Sequence, residues 1–422
     1  MDVMKEQIRE NIHDPEKLEK LYRENKNIFE THFYESYPEI GNSDLARFWK
    51  IRLDYGKMSA LQGKWSLTDV FILLGSCLIA GVLIRLPDIF TLNLPPEFFY
   101  AKNAGLIVFL GLTVFMTGTN KINEQKWLLL TSGFFLLTAL YVNLAVPSSE
   151  SDSVVLAYIH LPFLLWFVYG MVYIGFDLKA LTKRIEFIRH NGDLAILMAV
   201  LVISGGILTG ITIGLFEAIG ISIQEFYMRN IVVIGAVSVP VVATFITRSY
   251  LAMTNKIAPV IASIFSPLVL LSAIVYLVAM AFSGKNPYHD REFLLIFNLM
   301  LIGVMAVIVF SVAEASNTGK RKFNEAVLFS LSIVTVIIDL VALSAIFYRL
   351  GTYGITPNRL AVLGSNLLIL GNLMLIIRDL FRVNFRMKPV LEVEMTIARY
   401  LPVYMAWLFF VVFFFPLIFG LQ

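Results

Sequence analysis

After residue 64 the chain becomes a succession of apolar runs, each about the length needed to cross a bilayer. "LTDVFILLGSCLIAGVLI" lies in the first and "LPVYMAWLFFVVFFFPLIFG" in the last. A hydrocarbon core about 30 Å thick takes about 20 residues of α-helix. In lipid every backbone N–H and C=O needs a partner within the protein, so a run of this length folds as a helix. Eleven runs are present, over roughly 68–87, 103–119, 127–146, 154–176, 193–217, 230–251, 258–282, 292–314, 325–348, 358–378 and 400–420. They predict an all-α polytopic membrane bundle of about eleven transmembrane helices.

Charge supports the same division. The chain is 58% hydrophobic and 15% charged, against about 25% charged in soluble proteins. Residues 1–64 hold 11 Lys/Arg and 12 Asp/Glu, which is 23 of the 65 charged residues in the chain. A polar head over 1–64 therefore precedes a transmembrane domain over 65–422. "MDVMKEQIRENIHDPEKLEK" has no apolar core, so the first spanning helix is expected to serve as the insertion signal. Cys77 is the single cysteine, which excludes an intrachain disulfide and a cysteine metal cluster. The net charge of +3 is carried by residues flanking apolar runs, a pattern that does not point to nucleic acid.

Orientation follows from Lys and Arg near the ends of the runs. With the N-terminus inside, the inner segments carry 21 basic residues, among them Lys183, Arg184, Arg189, Arg378, Arg382 and Arg399. The outer segments carry seven: Arg85, Lys102, Arg229, Lys285, Arg291, Arg349 and Arg359. This bias predicts an N-in, C-out topology in a bacterial inner membrane.

The head is expected to be helical. Asp14 fits an N-cap and Pro15 the first helical position, followed by Leu18, Leu21, Tyr22, Ile28, Phe29 and Phe33 at helical spacing. A second helix, capped by Ser43 or Asp44, mixes Leu45, Phe48, Trp49 and Ile51 with Arg47, Lys50 and Arg52. That mixture suits an interfacial helix on the inner leaflet. A linker helix packed on the bundle would carry it equally well.

Polar groups at membrane depth are costly and so are functional candidates. Asp339 lies deep within the ninth run, in "VTVIIDLVALSAIF". Glu217 and Arg85 lie nearer the ends of their runs, where snorkelling to the interface suffices. His160 precedes Pro162 in the fourth run, and Pro162, Pro240 and Pro267 each free a carbonyl one turn earlier. Gly206, Gly210 and Gly214 repeat every fourth residue, a spacing expected to form a close helix contact. Ser365 and Asn372 lie one heptad apart in the tenth run and should face the bundle. The chain has no GxSxG, Walker A or HExxH motif and no paired His/Cys spacing, so no catalytic residue, cofactor or metal is expected.

One linker stands against the charge bias. "YRLGTYGITPNRLAVLG" places Arg349 and Arg359 on the outer side within about ten residues of each other. Gly351 or Gly354 can turn the chain, Thr356 fits an N-cap, and Pro357 fits the first position of the tenth helix. Two arginines beside a helix start favour an anion. The partner could be an internal carboxylate such as Glu217, a lipid phosphate, or a group on another protein. The Tyr-Gly-Ile-Thr-Pro-Asn-Arg stretch and the proline-headed "IASIFSPLVLLSAIVYLVAMAF" resemble a bacterial multi-pass membrane family of unknown function, domain-of-unknown-function group 4153. The resemblance spans about residues 190–380 and implies a membrane bundle without implying a reaction.

The expected function is accordingly a transporter-like body or the membrane subunit of an envelope complex. The alternatives are a membrane-embedded enzyme acting on lipid or lipid-linked substrate, and a signalling or scaffold protein using its head. Membrane lipids are the expected partners, with Arg349, Arg359 and Arg85 as headgroup candidates. A protein partner would approach through the head or the outer loops.

Overall fold

The computed structural model describes residues 3–24, 26–61, 66–90, 96–122, 124–144, 151–218, 222–249, 251–282, 288, 291–315 and 322–420. Every regular element among them is helical. The chain divides into two compact units, Met1–Ser66 with Ser249–Ala252, and Leu67–Arg248 with Met253–Gln422.

The first unit holds α1 (Val3–Glu10), α2 (Pro15–Glu24), α3 (Lys26–Ile40) and α4 (Asp44–Leu61). Asp14 caps α2 by accepting the backbone N–H groups of Glu16 and Lys17, each at 3.2 Å. The Lys17 N–H holds the Asp14 carboxyl below its ordinary value. Ile8, Leu18, Phe29, Phe33, Trp49 and Leu53 form a small buried core. Leu18 of α2 and Phe29 of α3 reach the same core, as their helical spacing predicts. Trp49, expected at a membrane interface, is buried in this core, while Phe48 and Ile51 on the same helix are exposed. Arg52 stacks over the Trp49 ring at 4.4 Å and pairs with Glu19 at 2.5 Å. Hydrogen bonds from Arg52 and Arg23 hold the Glu19 carboxyl below its ordinary value.

The second unit runs through α5 (Leu67–Ile84), α6 (Leu86–Ile89), α7 (Pro96–Thr119), α8 (Gln125–Leu144), α9 (Asp152–Tyr173) and α10 (Leu181–Ala218). It continues with α11 (Gln224–Phe226), a π turn (Tyr227–Val232), α12 (Val233–Ser249), α13 (Leu251–Phe282), α14 (Arg291–Ala315), α15 (Lys322–Tyr353), α16 (Pro357–Arg386) and α17 (Leu391–Phe419). All eleven apolar runs fall on helices. Among the described residues ten are long and apolar enough to cross a membrane, and Phe265–Val278 of α13 is a shorter apolar stretch. Leu67, Phe71, Leu74 and Leu78 form an exposed apolar stripe along α5, as lipid-facing positions require. This is an integral, multi-pass membrane bundle.

Between helices in lipid, association rests on close packing and polar contacts more than on water exclusion. Val304, Ile308, Leu331, Leu373, Ile376 and Ile397 make one core among α14, α15, α16 and α17. Phe115, Tyr169 and Val241 make another among α7, α9 and α12. Leu164 of α9 and Val412 of α17 meet in a third, which also takes Leu106 of α7 and Phe135 of α8.

Two prolines in α17 add directional contacts. A proline leaves the carbonyl four residues earlier without its helical donor. Pro402 does this to Ala398, whose carbonyl takes the Arg184 guanidinium of α10 at 2.8 Å. Pro416 does it to Val412, whose carbonyl takes the Tyr141 hydroxyl of α8 at 2.9 Å. These bonds tie α17 to α8 and α10.

Candidate functional site

The α15–α16 turn is tighter than its sequence suggests. α15 continues through Arg349 and Gly351 to Tyr353, leaving only residues 354–356 between the helices. Gly354 supplies the left-handed step, with φ +76°, a conformation open to glycine at no steric cost. Thr356 is the N-cap of α16: its hydroxyl accepts the Arg359 N–H at 3.4 Å, and Pro357 occupies the first turn.

A cation in the first turn of α16 opposes that helix's dipole. The Arg359 side chain resolves this by reaching back to the other helix. Its Nη1 donates to the carbonyls of Tyr353 at 2.8 Å and Gly354 at 2.7 Å. The cation thus satisfies carbonyls at the C-terminal end of α15, where positive charge is favoured. The Tyr353 ring lies 5.5 Å from the guanidinium carbon.

Arg349 and Arg359 line one cavity of about 390 Å³. Its other polar walls are Asp152 at the start of α9, Asn298 of α14, and Thr356 and Asn358 of the turn. Leu156, Ile159, Ile346 and Val362 complete it on the apolar side. Two guanidiniums and one carboxylate leave a formal charge of +1. The cavity therefore offers a polar, net cationic wall beside a hydrocarbon wall.

Arg85 lies elsewhere. It pairs with Asp88 at 2.6 Å and donates to the Arg229 carbonyl at 3.0 Å, while Arg229 pairs with Asp88 at 2.5 Å. This triad joins the α5–α6 corner to the π turn. His160 bonds through Nδ1 to the Leu156 carbonyl at 2.8 Å, within its own helix. The side chain of Glu217, and Gly214, lie outside the residues whose surroundings are described.

Gly206 and Gly210 are exposed, and a Cβ built on either meets no atom within 4 Å. The sequence reading put another helix against this face; the described residues of the chain supply none. Close approach occurs at other glycines. A Cβ on Gly192 would lie 1.9 Å from the Phe310 ring, and one on Gly364 2.0 Å from the Trp407 ring.

Asp339 is 0% exposed, and neither carboxyl oxygen has a hydrogen-bond partner among the described residues. Asn372 of α16 is 1% exposed and donates to the Tyr404 hydroxyl at 3.0 Å.

A charged network at the opposite end of α16 was not singled out in the sequence. Glu394, 2% exposed, receives the Arg189 guanidinium at 3.2 Å, and Arg189 Nε donates to the Ala313 carbonyl at 2.5 Å. Asp379 pairs with Arg378 at 2.9 Å and Arg382 at 3.4 Å, and accepts the Thr396 hydroxyl at 2.6 Å. These residues were visible only as inward-facing charge. Their pairing depends on α16 and α17 continuing as helices beyond their apolar cores.

Among the described residues, no group of three or more His, Cys, Asp or Glu side chains is arranged to hold a metal ion. Comparison with family models, with curated proteins and with solved structures gives no match for this chain.

Proposed function

We propose that this membrane protein is a transporter-like body of the bacterial inner membrane that engages an anionic amphiphile at the α15–α16 end, on the outer side of an N-in, C-out bundle. The cavity carries this reading. Arg349 and Arg359 face the same space as Leu156, Ile159 and Ile346, so a ligand with a charged head and an apolar body fits both walls. The formal charge of +1 suits a phosphodiester monoanion better than a free phosphate dianion. Arginine's planar fork also matches phosphate oxygens in a way lysine does not. The likeness of the turn to group 4153 places no reaction here, and among the described residues the cavity is lined by no histidine or cysteine.

A second reading, a membrane subunit whose head meets a protein partner, is favoured by the exposed pair Phe48 and Ile51 on α4.

The test is lipid mass spectrometry on protein purified in mild detergent. Arg349→Gln should lose most of the co-purifying anionic phospholipid, as should Arg359→Gln, although Arg359 also secures the turn. An unchanged lipid inventory in Arg349→Gln and in the double variant with Arg359→Gln would overturn the proposal.

A further inference from the structure

The α15–α16 hairpin fixes the depth of Asp339. It lies 14 residues before Tyr353, the last residue of α15, and Asn372 lies 15 residues after Pro357, the first of α16. At about 1.5 Å per residue both sit roughly 21–23 Å from the turn. They share one level of an antiparallel pair, deep in the membrane, and both are buried.

At this level three buried acceptor atoms lack a partner among the described residues. Both Asp339 oxygens and Asn372 Oδ1 are buried with no hydrogen-bond partner among the described residues. The hydroxyls of Ser332, Thr335 and Tyr400 are committed to backbone carbonyls. Ser332 donates to the Leu328 carbonyl at 2.8 Å and Thr335 to the Leu331 carbonyl at 2.6 Å. Tyr400 donates to the Leu368 carbonyl at 2.9 Å. Asn372 already gives an amide hydrogen to Tyr404. Among the described residues no ion pair reaches Asp339. The titratable neighbours are Tyr404 and Tyr400 on α17 and Tyr276 on α13, which packs in the cluster of Ile338 and Ala342. α14 contributes neutral Asn298. The nearest cation on α15 is Arg349, ten residues away, or about 15 Å along the axis.

An ionised carboxylate so placed has neither solvent nor counter-charge, a state that burial makes very costly. A metal ion would need several oxygen ligands and room for itself. A proton needs no volume, and it converts one unpartnered carboxyl oxygen of Asp339 into a donor.

We propose that Asp339 and Asn372 form an intramembrane proton site, in which Asp339 is held as the neutral acid and donates toward the Asn372 amide oxygen. Access is provided by polar side chains that step inward from the arginine cavity. Asn298 lines that cavity and accepts from Asn366 of α16 at 3.0 Å, and Asn372, six residues deeper along α16, donates to Tyr404 of α17. The bond made is the O–H of the carboxylic acid, the bond broken is an O–H of a hydronium ion entering through the cavity, and water is left. This site is independent of what the arginines hold.

Infrared spectroscopy of the protein in lipid bilayers at neutral pH tests it. The wild type should show a carboxylic-acid carbonyl band that shifts on exchange into heavy water. Asp339→Asn, isosteric with the neutral acid, should lose one such carboxylic-acid equivalent, and Asp339→Glu should retain it at a shifted frequency. Asn372→Leu leaves the acid in place and removes its acceptor, so the band should move toward the free-acid position. This variant also serves if Asp339→Asn fails to fold. An unchanged carboxylic-acid band in Asp339→Asn, or an Asp339 band unmoved by Asn372→Leu, would overturn the site. So would a band that appears only when sodium is replaced by choline, because the occupant would then be a metal ion.

Discussion

Glu394 and Arg189 meet across 205 positions of sequence, and Arg189 compensates the buried Glu394 carboxylate. Removing one partner of a buried pair leaves an uncompensated charge, which typically costs about 3–5 kcal/mol. Glu394→Ala should therefore lower stability by about that much in a detergent melt. The double variant Arg189→Met/Glu394→Met should recover most of the loss, since apolar replacement of a whole pair is often neutral. A single variant that melts like the wild type would mean the pair is solvated. The sequence announced these residues poorly. Arg189 counted as one inward-facing cation among 21, and Glu394 sat outside any apolar run. Asp339 was legible for the opposite reason: a lone carboxylate inside a long apolar run needs no partner to be noticed. What the sequence could not say is that Asn372 lies at the same depth.

Helix starts with chemical signals were legible, and helix ends without them were not. The Thr-Pro pair at 356–357 marked the start of α16, and both residues hold those places. Nothing marked the start of α17. Its apolar run begins near residue 400, which would put Pro402 in a first turn where it frees nothing. The helix begins at Leu391, so Pro402 falls inside and releases the Ala398 carbonyl to Arg184. Glycine spacing misled in a similar way, because a small-residue stripe states that a helix can be approached and says nothing about whether one arrives. Two variants separate the cases. Gly364→Ala drives a methyl into the Trp407 ring and should cost about 1–3 kcal/mol or more. Gly210→Ala should leave the melting temperature unchanged. If the first is silent, the α16–α17 contact is looser than described. If the second is costly, another surface covers that face of α10.

For the whole molecule, the hydropathy runs fixed the number of helices to expect, while their orientation rests on charge bias. The two turns flanking α16 allow a direct check. In a Cys77→Ala background, a cysteine at exposed Ile355 should react with an impermeant thiol reagent added outside spheroplasts. One at exposed Met387 should react only after lysis. The reverse pattern would put the arginine cavity in the cytoplasm. The spacing of those turns has a further consequence. α16 has 30 residues and α15 has 32, so they span about 45 and 48 Å, well beyond a hydrocarbon core of about 30 Å. The excess of α16 carries Asp379, Arg378, Arg382 and the Thr396 contact, already paired among themselves. Hydrophobic mismatch is therefore absorbed by surplus helix whose carboxylate is paired with two arginines. Reconstitution into shorter-chain or longer-chain lipids changes how much of that surplus is wetted and leaves the helix contacts as they are.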